Sequence, residues 1–308
     1  MKIKVTSGAT AIGVPVLSKT FENILNTIPG VEAEFLTPEK LLQKGNWSDV
    51  DVVWNIGFFF DIDLFLDWLK GYYPEIKTVN TWVGTDILNS VQWFTLRSKC
   101  YHCALRSIDI HVADGLNLQE ELKQRLQLES FYVPSVPDPI PITPLTHDRV
   151  AVYLPAHRKD FYNGDAIMEI VKKFPSTEFD FYSITPDPDF PQLPNCHFKG
   201  FLSGKEKLDA FTEDAVLITL PEHGSTSLML IEFMMMGRRV VTNIKTKYAY
   251  LVDPVTIQNV IASLTVALND ISKEGVNSEA SKYYHEEYGF EKVKSFINPV
   301  LEKVKKLG

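Results

Sequence analysis

The chain has 308 residues, more than one ordinary core needs and about right for two domains. Its 45% hydrophobic and 23% charged residues are those of a globular protein, and three cysteines (Cys100, Cys103, Cys196) do not make a disulfide framework. A net charge of −8 argues against a nucleic-acid partner, and no apolar run reaches the roughly 20 residues of a membrane span.

Met1 to Val5 run straight into a strand pattern over Lys2–Ser7, with no charged-then-apolar leader, so a cytoplasmic location is expected. Gly8 to Gly13 form a glycine-containing turn before an apolar-periodic helix over Val16–Ile28. Strands are predicted at 31–36, 51–56, 77–82 and 108–113, and helices at 62–70, 92–107 and 118–126. This alternation implies a parallel sheet covered on both faces. Five prolines between Val133 and Thr146 then exclude a helix or a central strand, and read as a connector. Beyond it the alternation restarts, with strands at 150–154, 178–182, 196–199, 215–220 and 239–242 and helices at 165–173, 205–211 and 228–236. Ser278–Lys306 follows a helical period, as one helix or as two broken near Gly289, with a basic last turn. The domains expected are 1–138, a linker at 139–147, 148–277, and a C-terminal helical segment at 278–308.

The most informative stretch runs from Leu217 to Val241: buried strand, small polar loop, helix, glycine stop, buried strand. Gly224, Ser225, Thr226 and Ser227 let the backbone come close to a ligand and supply N–H and hydroxyl donors where the helix dipole favours an anion. The same serines and threonine also serve as plain N-caps. Glu232 stands about two turns into an otherwise apolar helix, where a buried carboxylate needs a partner. Two adjacent ribose hydroxyls would satisfy both its oxygens; the alternatives are a solvent-facing position or a pair with Arg238 or Arg239.

With Gly237 and Val240-Val241 after Glu232, this segment resembles the donor-binding signature of the family-4-like glycosyltransferases. The resemblance implies the GT-B fold: α/β, two Rossmann-like domains facing a cleft, with the C-terminal helix packing back on the N-terminal domain. It implies transfer of a sugar from a nucleoside-diphosphate donor to a hydroxyl acceptor, with retention and without a metal or other cofactor. In that signature two glutamates stand eight apart, whereas counting back from Glu232 reaches Gly224. Glu222 and His223 are the residues available in its place, and His223 is taken as a catalytic candidate with the loop to Ser227. Arg158 and Lys159, after the first strand of the second half, match the pair that neutralises the diphosphate. Read by themselves they are solvated loop cations. Gly200, Phe201 and Leu202 match the turn that cradles the base; otherwise they are an ordinary strand end.

In the first half, Asn80-Thr81-Trp82-Val83-Gly84-Thr85-Asp86 resembles the acceptor-side loop, with Thr81 where a histidine is usual. Trp82 and Gly84 would shape that loop, with Gly8 and Gly13 of the first turn. Asp86 would position reacting groups, or cap the next helix. Gly8 to Gly13 lacks the spacing of a dinucleotide fingerprint.

Cys100-Tyr101-His102-Cys103 lacks the second half of a zinc site, and Asp61-Ile62-Asp63 and Asp187-Pro188-Asp189 sit at a helix start and in a proline loop, so no metal is expected. Phe58-Phe59-Phe60 and the basic final turn leave peripheral contact with a membrane surface open. Two further readings of the same fold stand beside transfer: a sugar-nucleotide-binding protein without turnover, and a sugar-nucleotide epimerase.

Overall fold

A computed structural model describes the chain except residues 8–13, 38–39, 41–46, 59, 85, 91–104, 186–191 and 308. The chain forms two compact units, Met1–Asp138 with Glu287–Gly308, and Pro139–Glu286.

The first unit is built on a six-stranded sheet in the order β2-β1-β3-β4-β5-β6. The strands are β1 (Lys2–Ser7), β2 (Glu32–Leu36), β3 (Val52–Ile56), β4 (Lys77–Trp82), β5 (Ile110–Ala113) and β6 (Ser130–Tyr132). Every pairing is parallel. Side chains alternate across a sheet, so a strand covered on both faces must be apolar at successive positions. β3 shows this: Val52, Trp54 and Ile56 enter one core and Val53 the other. Helix α1 (Val14–Leu25) packs on the first face and helices α2 (Phe60–Tyr72) and α3 (Leu116–Leu126) on the second.

The second unit repeats the plan, with strand order β12-β11-β10-β7-β8-β9. Its strands are β7 (Arg149–Tyr153), β8 (Phe179–Tyr182), β9 (Cys196–Gly200), β10 (Asp214–Thr219), β11 (Arg239–Thr242) and β12 (Tyr250–Leu251), again all parallel. Helices α4 (Gly164–Lys173) and α7 (Ile257–Glu274) bury Ile167, Ile170, Val171, Val260 and Leu264 against one face. On the other face lie α5 (Gly204–Phe211) and α6 (Leu228–Met235), where the Phe211 ring meets Tyr182 at 5.1 Å and Phe233 at 4.7 Å. Strand β6, strand β12 and the 18-residue helix α7 stand where the sequence reading places no element. The predicted helix at 92–107 falls mostly outside the described residues.

The helical C-terminal segment is divided. Helix α8 (Ser278–Glu287) joins the second unit through its Ser281 hydroxyl, which donates to the Met235 carbonyl at 2.5 Å. The chain breaks at Tyr288-Gly289, and helix α9 (Phe290–Leu307) buries Val293, Ile297, Val300, Leu301 and Val304 in the core of the first unit. The Pro-rich run is not a free connector from Pro139 on. Its carbonyls are claimed by the second unit: Thr143 and Pro144 accept from the buried Arg238 guanidinium at 2.7 and 3.0 Å, and the Ile140 carbonyl lies 2.6 Å from His285 Nε2. A buried guanidinium that forms no ion pair among the described residues must find other acceptors, and an extended Pro-rich segment offers a row of them.

Candidate functional site

In an open parallel sheet, ligands gather beyond the carboxyl ends of the strands, where loops rather than helices meet the solvent. The second unit marks that edge by backbone strain. Among the described residues four non-glycine residues have positive φ, and two follow carboxyl ends of strands in this sheet: Asn163 (55°) after β7 and Ser183 (67°) after β8. Gly200, closing β9, has φ of 66°. Such conformations cost about 1–3 kcal/mol each and persist where the surroundings hold them.

Two neighbouring loops are tied together here. The Asn163 amide nitrogen donates to the Leu220 carbonyl at 2.8 Å, and the Glu222 backbone N–H donates to the Phe161 carbonyl at 2.8 Å. Asn243, after β11, donates to the Pro221 carbonyl at 2.7 Å. The loop carrying Arg158 and Lys159 is thus fixed to the loop carrying His223 to Ser227. Arg158 stacks its guanidinium 3.9 Å from the centre of the Phe161 ring, and among the described residues no carboxylate pairs with it. A cation held on an aromatic face keeps its N–H fork available for an anion. Lys159 anchors the helix start: its carbonyl accepts from the Tyr162 and Gly164 N–H groups at 3.1 and 2.9 Å.

Ser227 is the N-cap of α6, its Oγ accepting from the Leu230 N–H at 3.3 Å. This is the plain capping role; Gly224 is buried and Ser225 and Thr226 are half-buried before it. His223 is half-buried in the same loop. At the far end of α6, Gly237 (φ 76°) makes the stop, and a Cβ there would lie 3.3 Å from both Ile142 and Val276.

Glu232 is 5% exposed, so it does not face solvent. Its partner is neither Arg238 nor Arg239 but Lys207 of α5, whose Nζ lies 2.5 Å from Oε1. Arg238 is spent on carbonyls, and Arg239 on Glu274 and the Gly275 carbonyl. Lys207 lies one turn into the helix that follows Gly200, Phe201 and Leu202. Phe201 is 59% exposed at the end of β9.

The first-unit candidates behave differently. Gly8 and Gly13 lie outside the described residues, as do Cys100, Cys103, Asp187 and Asp189. Trp82 is fully buried against Phe58 (4.9 Å), its Nε1–H donating to His111 Nδ1 at 3.2 Å, so it is a core residue rather than a loop wall. Burial pulls His111 down to about 4, which keeps it the neutral acceptor of that bond. Asp86 is buried too: its Oδ2 accepts the backbone N–H groups of Phe58 (2.8 Å) and Val83 (3.1 Å), stapling the loops after β3 and β4. Burial pushes its carboxyl up to about 8 in spite of these donors. Gly84 takes a positive φ of 54° between them.

The structure ties the Arg158–Lys159 loop to the segment leading into 223–227, ends β9 of the same sheet at Gly200, and pairs Glu232 with Lys207 of the helix that follows Gly200. It adds Asn163, Phe161 and Lys207, which sequence reasoning missed. The Asn163-Gly164 dipeptide is a readable turn signal; Lys207, in a run of charged helix residues, carried none. Among the described residues no three His, Cys, Asp or Glu side chains cluster as metal ligands, and no helix is long and apolar enough to cross a membrane.

No protein-family profile matches the chain, and no curated protein matches it. Solved structures do. Sucrose-phosphate synthase from Thermosynechococcus elongatus superimposes with a TM-score of 0.71 at 11% identity, over 100% of both chains. TarM of S. aureus, solved with UDP and α-GlcNAc-glycerol, gives 0.58 at 13% identity over 80% of this chain, which spans only 54% of TarM. UDP-GlcNAc 2-epimerase from Neisseria meningitidis gives 0.54 at 13% identity, over 98% and 100% of the two chains. The fold is the GT-B type of two parallel α/β units, as in these glycosyltransferases.

Proposed function

We propose that this chain is a glycosyltransferase that moves a sugar from a nucleoside-diphosphate donor to a hydroxyl acceptor, with the donor bound in the second unit. One observation carries the reading: Arg158, stacked on Phe161 and paired with no carboxylate among the described residues, on a loop tied to the polar N-terminal turn of α6. As the acceptor oxygen bonds to the anomeric carbon, the bond to the diphosphate breaks with its electron pair staying on the diphosphate oxygen, and the acceptor's hydroxyl proton passes to that departing oxygen. The diphosphate takes up the largest developing charge in the reaction, and preorganised donors act on that charge. Arg158 and Lys159 supply fixed cations, while the 224–227 loop and the first N–H groups of α6 supply neutral donors. His223 stands beside the same oxygens, Glu232 takes the ribose, and Gly200 to Leu202 take the base. This division gives the charge compensation to side chains, so the transfer runs without a metal. Retention at the anomeric carbon follows the resemblance of the 217–241 segment.

The test is thermal denaturation with UDP, ADP and GDP and their glucose and N-acetylglucosamine conjugates, with and without magnesium. One diphosphate at 100 times its Kd stabilises by about 2.7 kcal/mol, a shift of a few degrees, equal in both buffers. Arg158→Ala weakens that ligand by about tenfold or more while leaving the free protein's Tm within about a degree. No shift with any nucleotide, or a normal shift in Arg158→Ala, overturns the reading. An inverted product removes retention alone.

The epimerase match supports a second reading, interconversion of the donor itself. Proton NMR of the donor incubated without any acceptor separates the two: a new sugar configuration on an intact nucleotide marks the epimerase.

A further inference from the structure

We infer that Lys207 binds the nucleotide beside Glu232, and that together they select a ribose carrying both hydroxyls. The inference rests on the donor site proposed above. A carboxylate that is 5% exposed inside an apolar helix has to be compensated, and Lys207 does so from α5. The ammonium is itself located by the Phe211 ring, 5.8 Å away, and Phe211 packs on Phe233, the neighbour of Glu232. Carboxylate and ammonium thus meet between two helices whose Phe211 and Phe233 rings pack on one another.

Two further facts give the pair a role in recognition. The Lys207 side chain keeps 25% exposure while that of Glu232 keeps 6%, so the solvent side of the pair is the ammonium. Helix α5 also starts four residues after Gly200, so the strand-end turn that takes the base and the residue that orients the carboxylate belong to one continuous segment. An ammonium has three donors and each carboxylate oxygen two lone pairs, so their mutual bond exhausts neither. Side by side they offer an acceptor and a donor to two vicinal hydroxyls, one donating to Glu232 and the other accepting from Lys207. A deoxyribose leaves one of these groups without its partner, and a site built around a hydroxyl rejects the analogue that lacks it.

The experiment is calorimetric titration of the full chain with UDP, ADP and GDP and their 2′-deoxy counterparts, in wild type, Lys207→Met, Lys207→Gln, Glu232→Gln and the double variant Lys207→Met/Glu232→Gln. Wild type is expected to prefer the ribonucleotide by about tenfold or more, and Lys207→Met to lose most of that preference through weaker ribonucleotide binding. Lys207→Gln, which still donates to Glu232, is expected to fall between. In the Glu232→Gln background Lys207→Met should cost less than about twofold further, since residues acting as one unit are not additive. A purely structural lysine gives a different pattern: Tm falls, and ribo- and deoxyribonucleotides weaken by the same factor. That pattern, or additive losses in the double variant, overturns the inference while the donor site stands. Wild type binding none of the nucleotides overturns both. If Lys207→Met melts too low to titrate, Lys207→Gln decides: an unchanged ribose preference there is the failing result.

Discussion

Asp86 shows how a single residue can match a functional pattern and do different work. Its position after Gly84 resembles an acceptor-side loop, yet its carboxylate is buried and takes two backbone N–H groups. Its pKa of about 8 stands above the ordinary 3.8 because burial disfavours the charge more than the two donors favour it. The folded chain then holds a proton that the unfolded chain has lost between these two values. Stability from this group is complete below pH 4 and is lost as pH rises to 8, by at most about 1.4 kcal/mol per pH unit. Asp86→Asn keeps an oxygen for both N–H groups and cannot ionise. Its Tm relative to wild type should therefore rise steadily from pH 5 to pH 8.5, and a difference constant with pH removes the assignment. Other roles at this scale were just as hidden. Ser227 was readable as a cap, but the choice between ribose, solvent and an arginine for Glu232 missed Lys207, because the partner comes from another helix 25 residues away in sequence.

At the scale of elements, periodicity sufficed wherever burial has a period. β3 and β10 read as mostly apolar runs because both sheet faces are covered, and α1, α4 and α5 read from their amphipathic stripes. The three-residue β6 and two-residue β12 are edge strands too short to have a period. Loops carry the site, and their geometry is not periodic at all. Asn163 is the joint between two of them, holding left-handed backbone while its amide reaches Leu220. Asn163→Gly removes the tie alone, at about 1 kcal/mol; Asn163→Ala adds the cost of left-handed backbone, for a total of about 2–3 kcal/mol. Both should weaken diphosphate binding, since each frees the Arg158 loop from the strand beside it. Urea melts give the first ordering and titration the second. If glycine and alanine destabilise alike, the strain at this joint is not borne by the backbone.

At the scale of the molecule, the sequence shows two α/β halves parted by a proline run, and the family resemblance implies the return of the C-terminal helix to the first half that the chain makes. The first unit is made from two stretches, Met1–Asp138 and Glu287–Gly308, so its core is complete only when α9 arrives. Val293, Ile297, Val300, Leu301 and Val304 are each at most 4% exposed there, and the Phe296 ring meets Tyr132 at 5.2 Å. Burying five such side chains contributes about 8–15 kcal/mol, as much as the whole net stability of a domain of this size. The amphipathic pattern of α9 was legible, but nothing in it names the sheet that its apolar stripe covers. A chain ended after Glu286 should consequently lose the first unit while keeping the second, whose strands β7 to β12 and helices α4 to α7 lie within 139–286, with α8 short of its last residue alone. Calorimetry on that truncated chain should show one cooperative transition in place of the first unit's contribution, with proteolysis confined to residues 1–138. UDP or whichever diphosphate binds the full chain should bind it with an unchanged Kd, because every donor-side residue stays. A truncated chain with the first unit still protected would mean that β1 to β6 stand without α9, and that the returning helix only covers a core already formed.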